Sequence, residues 1–241
     1  MSRTGLPHGV VLAAAILLIG PSPRTSGQVV AQAVQTQAQR TYQPGEVHLE
    51  SSRIYVHVGK TGFGHEHAVV ARLRQASGRP GAHQDVGDMV FDMASFQADT
   101  DDARKYIGLE GASDATTRQK VTANMLGPDV LDVQRYPTAV CHVQSVRPLP
   151  QPSPAGHPQW ELDCQFTLHG VTRPLRFVVE AVEKDGWTHA RGRFSILQTD
   201  YGIKPYSLAL GTIGVADRLD IYGDLWIAGT NLAPAQSTVT Q

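Results

Sequence analysis

The second half of the chain alternates between apolar and polar side chains with a period of two residues, and this pattern restricts the fold more than any other feature. Residues 160–168 show it most clearly, with Trp160, Leu162, Cys164, Phe166 and Leu168 on one parity. Residues 175–181 and 219–227 repeat the pattern. Because successive side chains of a β-strand point to opposite faces of the sheet, each segment is predicted to be a strand with one apolar and one polar face.

Shorter segments with a similar composition raise the number of predicted strands to eight. The predicted strands cover residues 52–58, 68–74, 88–96, 138–146, 160–168, 175–181, 190–198 and 219–227. Most connections between them are too short for crossover helices, which argues against a parallel sheet. Antiparallel strands that each have one apolar face close into a barrel or pair into a sandwich.

One polar stretch, residues 101–126, interrupts the strands and is rich in helix-forming residues. Asp114 is a suitable N-cap for a helix over 115–126. Gly127 and Pro128 follow directly and would end that helix. The sequence therefore predicts a mainly β fold with a small helical insert beside the sheet.

The first 33 residues have the three parts of a secretory signal peptide. Arg3 lies in a short polar start. The apolar run Val10–Ile19 is too short to span a bilayer, which takes about 20 apolar residues. An A-x-A cleavage site follows at Ala31–Ala33. An uncleaved membrane anchor is the alternative.

Cleavage at this site would leave a soluble, exported protein. The predicted organisation is a signal peptide at 1–33, a linker at 34–41, a folded domain at 42–230 and a polar tail at 231–241. No transmembrane span would remain after cleavage, and we expect a periplasmic or secreted location.

Charge and cysteine content narrow the function classes. The chain has 21 Lys and Arg residues against 22 Asp and Glu residues, so nothing favours nucleic acid, which requires clustered basic residues. Export would place Cys141 and Cys164 in an oxidising compartment, where cysteine pairs often form disulfides. Both lie on the apolar side of neighbouring predicted strands, so a cross-strand disulfide and two buried free thiols are both open alternatives.

The sequence contains no recognisable catalytic motif. A G-x-S-x-G nucleophile turn and a Gly-rich phosphate loop are both absent. Carboxylate pairs such as Asp101 and Asp102 lie in polar, predicted exposed runs, which do not favour acid–base catalysis. We therefore expect a protein that is not an enzyme and that has no cofactor.

Three segments, taken in order, resemble one known family. They are NMLGPDVLDVQRYP at 124–137, FTLHGVTRPL at 166–175 and QTDYGIKP at 198–205. Over nearly all of residues 42–230, the chain is similar to the YceI-like, polyisoprenoid-binding family. The resemblance implies an eight-stranded, antiparallel, extended β-barrel of lipocalin-like shape, with an apolar tunnel for an isoprenoid or another long-chain amphiphilic lipid.

The residues alone leave the state of the interior open. An eight-stranded barrel is just wide enough either to be filled by side chains or to hold one small ligand. A filled barrel would be a structural or interaction module, whereas the family resemblance implies a ligand. An open barrel end also favours a homodimer that covers it.

The predicted ligand-binding residues are apolar side chains of the inner faces together with two histidines before the second strand. They are Phe63, His65, His67, Phe91, Met93, Phe96, Met125, Leu131, Phe166, Leu168, Phe177, Phe194 and Ile196. The family analogy implies that one of the two histidines contacts the polar head of the lipid.

A metal site is the alternative for the two histidines. In an extended segment His65 and His67 would point to the same side, and two imidazoles on one face are a start towards a metal centre. A third ligand would have to come from His48, His57, His142 or Glu66.

The HGVTRP segment is predicted to be structural. Gly170 would permit a tight turn, and Pro174 would set the start of the next strand.

Overall fold

The computed structural model describes residues 41–79, 82–208, 210 and 212–229. The predicted signal peptide, residues 34–40 of the predicted linker and the predicted tail lie outside these residues. The described strands are β1 (Arg53–Gly62), β2 (His67–Ala71), β3 (Leu73–Gly78), β4 (Gln84–Asp92), β5 (Gln97–Ala98), β6 (Thr138–Pro148), β7 (Gln159–Leu168), β8 (Val171–Lys184), β9 (Trp187–Leu197), β10 (Ser207–Leu208) and β11 (Ile213–Ala228). The described helices are α1 (Asp101–Ile107) and α2 (Ala115–Leu126), with 3-10 turns at Met93–Ser95 and Gln198–Tyr201.

The described helices include none that is long and apolar enough to cross a membrane.

The strands form one antiparallel sheet that curls into a barrel. The order is β3-β4-β6-β7-β8-β9-β11-β1-β2-β5, and β10 pairs with β11. Only Arg72 separates β2 from β3, so one bent segment pairs with β1 at one end of the sheet order and with β4 at the other. At the bend, the Arg72 carbonyl accepts a hydrogen bond from the Asp92 N–H at 3.1 Å, and the Arg72 N–H donates to Ser95 Oγ at 2.9 Å.

The predicted mainly β, antiparallel barrel with a small helical insert is confirmed, and all eight predicted positions carry strands. The strand count differs, because the described residues form eleven strands. The predicted strand at 68–74 is divided at Arg72, where the segment changes its pairing partner. Two further strands, β5 and β10, have two residues each, which is too short for an alternation to be visible in the sequence.

The helical insert follows the sequence signals closely. α2 begins after Asp114, whose carboxylate accepts a hydrogen bond from the Thr117 N–H at 3.0 Å, and it ends before Gly127. The first part of the same polar stretch forms the separate helix α1, which Thr100 caps through the Ala103 N–H at 3.2 Å.

The HGVTRP segment forms the hairpin turn between β7 and β8. His169 has φ 51° and Gly170 has φ 77°, the left-handed pair that a two-residue hairpin turn requires. A Cβ atom at Gly170 would lie 2.9 Å from Cε1 of Tyr136, so glycine is needed both for the backbone and for this packing.

Pro174 does not start the strand after this turn. It lies inside β8, which begins at Val171, and the expectation from the sequence is corrected here. β8 pairs with β9 only from Val178 onwards. Pro174 therefore lies where β8 has a neighbour on one side only, and its missing N–H costs no hydrogen bond on the open side.

Cys141 and Cys164 are free thiols, and both are buried. Cys141 lies opposite Phe166, and Cys164 lies opposite Val143, so the two cysteines are diagonal neighbours. Diagonal residues have Cα atoms about 7–8 Å apart, which is beyond the usual 4.4–6.8 Å of a disulfide. A hydrogen bond with the Cys164 thiol and burial both raise the pKa of the Cys141 thiol.

Candidate functional site

The interior of the barrel is not filled by side chains. It contains a cavity of about 820 Å³, which lies within the range of roughly 300–1,000 Å³ that is typical of small-molecule sites. Its walls are almost entirely apolar. Of the two interiors that the sequence left open, the structure has the one with space for a ligand.

Aromatic rings form the middle of the cavity wall. The Phe166 ring centroid lies 6.4 Å from that of Phe91 and 5.9 Å from that of Phe194, both in edge-to-face geometry. Phe177 lies 4.9 Å from Phe194. Phe177 and Phe194 are only half-buried although they point inward, because no side chain fills the space beside them.

Eleven of the thirteen predicted ligand-binding residues line this cavity. They are His67, Phe91, Met93, Phe96, Met125, Leu131, Phe166, Leu168, Phe177, Phe194 and Ile196. The structure therefore brings them together around one space, and their contact with a ligand stays a prediction.

Phe63 and His65 do not line the cavity, so the prediction of Phe63 in the interior and the prediction of His65 on the same face as His67 are both wrong. β1 ends at Gly62, whose φ of 54° turns the chain outward. Phe63 is 85% exposed, and its N–H donates to the Thr212 carbonyl at 2.9 Å. His65 is exposed as well. Residues 63–66 are not a strand, so the rule that places residues i and i+2 on one face does not apply.

The strand register places polar groups at two opposite ends of the cavity. His67 on β2 lies opposite Val58 of β1, whereas Thr188 on β9 lies opposite Ile227 near the far end of β11. The His67 end is defined by His67, Asn124, Gln198 and Tyr206. The His157 end is defined by Arg79, His157, Glu183 and Thr188.

A buried carboxylate organises the His67 end. The side chain of Asp99 is only 2% exposed. It accepts hydrogen bonds from His67 Nδ1 at 2.6 Å, from the Ala68 N–H at 3.1 Å and from Arg104 Nη1 at 3.1 Å. Burial opposes ionisation, but these hydrogen bonds outweigh it and hold the pKa of Asp99 below its ordinary value.

The Asp99 carboxylate fixes the orientation of the His67 ring. An ionised carboxylate accepts a hydrogen bond, so Nδ1 carries the proton and Nε2 is the remaining nitrogen. No described residue forms a hydrogen bond with Nε2. The ring that lines the cavity thus retains one nitrogen with free hydrogen-bonding capacity.

Three further polar side chains lie at the His67 end. Asn124 Nδ2 donates to the Tyr206 hydroxyl at 3.4 Å, and Gln198 Nε2 donates to the Ala216 carbonyl at 2.8 Å. α2 contributes Asn124 to the wall together with Val121 and Met125.

The His157 end is built from more solvated pairs. His157 Nδ1 lies 3.4 Å from Glu180 Oε2, and Arg191 Nη2 donates to Glu180 Oε1 at 2.8 Å. Burial raises the pKa of Glu180, but hydrogen bonding with Ser153, the charge of Arg191 and the interaction with His157 outweigh it and lower the pKa overall.

The sequence reasoning missed most polar groups of the site. Asn124, Gln198, Tyr206 and His157 line the cavity. Asn124 and Gln198 are the first residues of two family-like segments, but nothing in those segments marks them as cavity residues, and Tyr206 and His157 belong to no motif. Asp99 lies in a polar run and reaches His67 only through the pairing of β5 with β2, which is a long-range contact.

The metal-site alternative for His65 and His67 has no support in the described residues. No group of three His, Cys, Asp or Glu side chains there could hold a metal ion. His67 Nδ1 is already bonded to Asp99, and His65 faces solvent.

The YceI-like domain profile matches residues 46–225, which include His67 and His157 at the two ends of the cavity and strands β1 to β10 with most of β11. This chain belongs to the YceI-like family. The resemblance seen in the three sequence segments is therefore confirmed. Among curated proteins, none matches the chain.

Several solved structures are similar to this YceI-like chain. BcnA of Burkholderia cenocepacia has 18% sequence identity and a TM-score of 0.50, with 75% of this chain and 99% of that chain covered. A polyisoprenoid binding domain from Saccharophagus degradans, implicated in plant cell wall breakdown, has 11% identity, a TM-score of 0.48 and coverage of 78% and 100%. A Campylobacter jejuni YCEI protein has 10% identity, a TM-score of 0.41 and coverage of 87% and 99%. The match to BcnA shows that the fold is shared.

Proposed function

We propose that this YceI-like protein binds one long-chain lipid, such as an isoprenoid, inside the barrel. The observation that carries the proposal is the cavity of about 820 Å³ with nearly apolar walls. Burial of apolar surface contributes about 25 cal/mol per Å², so a hydrocarbon chain would bind there without any catalytic group. A sugar or a nucleotide would lose hydrogen bonds to water that these walls do not replace.

The polar head of the lipid is assigned to the His67 end. His67 Nε2 is free for a hydrogen bond, and Asn124 and Tyr206 lie at the same end. A few polar groups at one end of an apolar cavity fix the orientation of a ligand. An alcohol or phosphate head group could contact His67 while the chain extends past the aromatic rings.

Binding without catalysis agrees with the surroundings of His67. The hydrogen bond from His67 to Asp99 is similar to the pair that activates a nucleophile in hydrolases. Among the described residues, however, no hydroxyl or thiol forms a hydrogen bond with His67 Nε2. Cys141, the thiol in the cavity wall, is buried and its pKa is raised, which disfavours the nucleophilic thiolate.

Export and a carrier role form part of the proposal. The polar start, the apolar run Val10–Ile19 and the A-x-A site support secretion to the periplasm or to the outside of the cell. A lipid has to be shielded from water in either compartment, and an apolar cavity provides that shielding. We therefore propose sequestration or transport of the lipid.

The first experiment is mass spectrometry of an organic extract from protein purified without detergent. We expect one lipid species near one molecule per chain. An empty extract from folded protein, combined with no uptake of an added polyprenol in a direct titration, would overturn the proposal.

Two variants test the location of the lipid. Phe166→Arg places a charge inside the cavity and should abolish lipid retention. Ala190→Phe keeps the wall apolar but occupies cavity space, so it should also abolish retention and serves where Phe166→Arg fails to fold. Val178→Phe, on the outer face of β8, is the matched control and should retain lipid. Retention at the wild-type level in folded Ala190→Phe would place the lipid elsewhere.

A further inference from the structure

Four exposed apolar side chains lie together beyond the His67 end of the barrel. β1 continues for four residues past Val58, the last β1 residue that lines the cavity, or roughly 13 Å at about 3.3 Å per residue. It pairs there with the start of β11, which in turn pairs with β10. We call the described residues of 61–64 and 207–213 the tip. Its exposed apolar residues are Phe63, Leu208, Leu210 and Ile213.

Backbone contacts hold the two parts of the tip together. Gly62 lies opposite Ile213, and Leu208 lies opposite the same residue. A Cβ atom at Gly64 would lie 2.2 Å from the Gly214 carbonyl oxygen. The apolar side chains are therefore displayed on a paired, closely packed scaffold. Leu208 is 51% exposed and Ile213 is 41% exposed.

The charged side chains that flank the tip are mainly basic. Segments 59–64 and 204–214 contain Lys60 and Lys204 and no Asp or Glu, and Glu66, two residues after Gly64, lies 3.5 Å from His57 Nε2. Both lysines are exposed, and neither forms an ion pair with a described residue. Apolar side chains flanked by lysines match the surface of a bilayer that contains anionic lipids.

The tip is also continuous with the cavity. Tyr206 and Val215 line the His67 end, and the Val215 N–H donates to the Tyr206 carbonyl at 3.0 Å. Tyr206 directly precedes β10, and Val215 lies two residues after Ile213. A membrane in contact with the tip would therefore lie next to the end of the cavity where the lipid head is placed.

From this arrangement we infer that the tip docks the protein on an anionic lipid bilayer, with the His67 end of the cavity at the membrane surface. The inference rests on the proposed lipid-binding function, because a lipid cargo has to leave and enter a bilayer. A protein partner fits less well. Stable protein interfaces bury roughly 800 Å² on each partner, which is far more than four side chains at the end of a hairpin provide.

The test uses the full chain and a local fluorescent reporter. An environment-sensitive dye is attached to Ser207→Cys at the tip or to Gln151→Cys in the loop between β6 and β7. Each protein is titrated with vesicles of phosphatidylcholine, with or without phosphatidylglycerol. We expect a blue shift for the dye at position 207, stronger with phosphatidylglycerol, and none for the dye at position 151.

Variants in the labelled Ser207→Cys background identify the contacts. Phe63→Ser combined with Leu210→Ser should weaken vesicle affinity by about tenfold or more. Leu197→Ser removes a leucine that is 43% exposed on the outer face of β9 and should change affinity by less than about twofold. Lys60→Gln and Lys204→Gln should each reduce the affinity for phosphatidylglycerol vesicles by about fivefold. Every variant has the same N-terminus, so differences between variants report on the tip.

Three results would overturn the inference. They are no shift at position 207 with either vesicle, equal affinity in the tip variant and the Leu197→Ser control, or a shift that follows protein concentration rather than vesicle concentration. If the shift follows protein concentration, and if Phe63→Ser combined with Leu210→Ser dissociates a dimer, the partner of the tip is a second copy of this chain. Mass spectrometry of the organic extract separates this inference from the proposed lipid binding. If the protein retains lipid but does not bind vesicles, only the docking of the tip is contradicted.

Discussion

The two ends of the cavity contain similar residue types but differ in how those residues are held. At the His67 end, Asp99 is buried and accepts hydrogen bonds from a histidine, an arginine and a backbone amide. At the His157 end, Glu180 also pairs with a histidine and an arginine, yet the His157–Glu180 distance is longer and the carboxylate is more solvated. The histidine–carboxylate pair is therefore held more tightly at the His67 end than at the His157 end.

This difference between the two carboxylates shows that burial together with hydrogen bonding holds a polar group in position for binding. A buried hydrogen-bonded charge is held in one geometry, because any movement leaves a desolvated partner unsatisfied. A solvated pair exchanges its partner for water at little cost. The His67 ring is consequently oriented before any ligand arrives, and this is the physical reason for placing the lipid head at that end.

The largest expected effect is on stability. Asp99→Asn removes the charge that Arg104 and His67 face, and we expect a loss of about 3 kcal/mol in the free energy of unfolding. Glu180→Gln at the other end is the matched control and should cost less than about 1 kcal/mol. Urea unfolding monitored by circular dichroism measures both. Equal losses of unfolding free energy in the two variants would show that Asp99 is held no more tightly than Glu180.

The second effect is on ligand affinity. His67→Leu should weaken the binding of a polyprenol by about tenfold, since a hydrogen bond at a buried site is lost. His157→Leu, at the opposite end, should leave the affinity within about twofold. Fluorescence titration with the same polyprenol gives both values. A larger loss in His157→Leu would reverse the orientation of the lipid.

The third effect is a pH dependence of stability. The pKa of Asp99 is lowered in the folded chain from its ordinary 3.8, so the unfolded chain binds more protons in this range. The stabilisation by ionised Asp99 is then complete above that ordinary value and is lost as the pH falls below it. The stability difference between wild type and Asp99→Asn should shrink from about pH 5 to about pH 2. A constant difference would mean that the charge of Asp99 is irrelevant.

The smallest expected effect is on the reactivity of the two buried cysteine thiols. Cys141 and Cys164 are buried free thiols, so a thiol reagent should react with neither in the native protein and with both after unfolding. Mass spectrometry after alkylation counts the reacted thiols. A chain that remains unlabelled after unfolding without a reductant would contain a disulfide.

The sequence predicted those parts of the site that depend on local pattern. Phe166 and Leu168 were placed on the inner face because a strand alternates, and the barrel confirms that placement. Asp114 caps α2 because its side chain reaches an amide three residues away. Both relations involve a few neighbouring residues, so no tertiary contact is required to identify them.

Other predictions failed where the backbone departs from a regular element. Phe63 is apolar and was assigned to the interior, but Gly62 ends β1 and turns Phe63 into solvent. His65 was paired with His67 on the assumption of an extended segment that does not form. At both positions one local change of backbone direction reverses the face to which a side chain points.

By itself, the sequence determined that this chain builds antiparallel strands with one apolar face each and a small helical insert, because alternation, capping and turn residues act over short distances. Tertiary structure alone decided that the barrel contains an open cavity and that Asp99 meets His67 across 32 residues. The bend at Arg72 lets one segment pair with β1 and with β4, and the pairing of β5 with β2 brings the carboxylate to the ring. Such contacts depend on how the strands pair, which no short segment encodes.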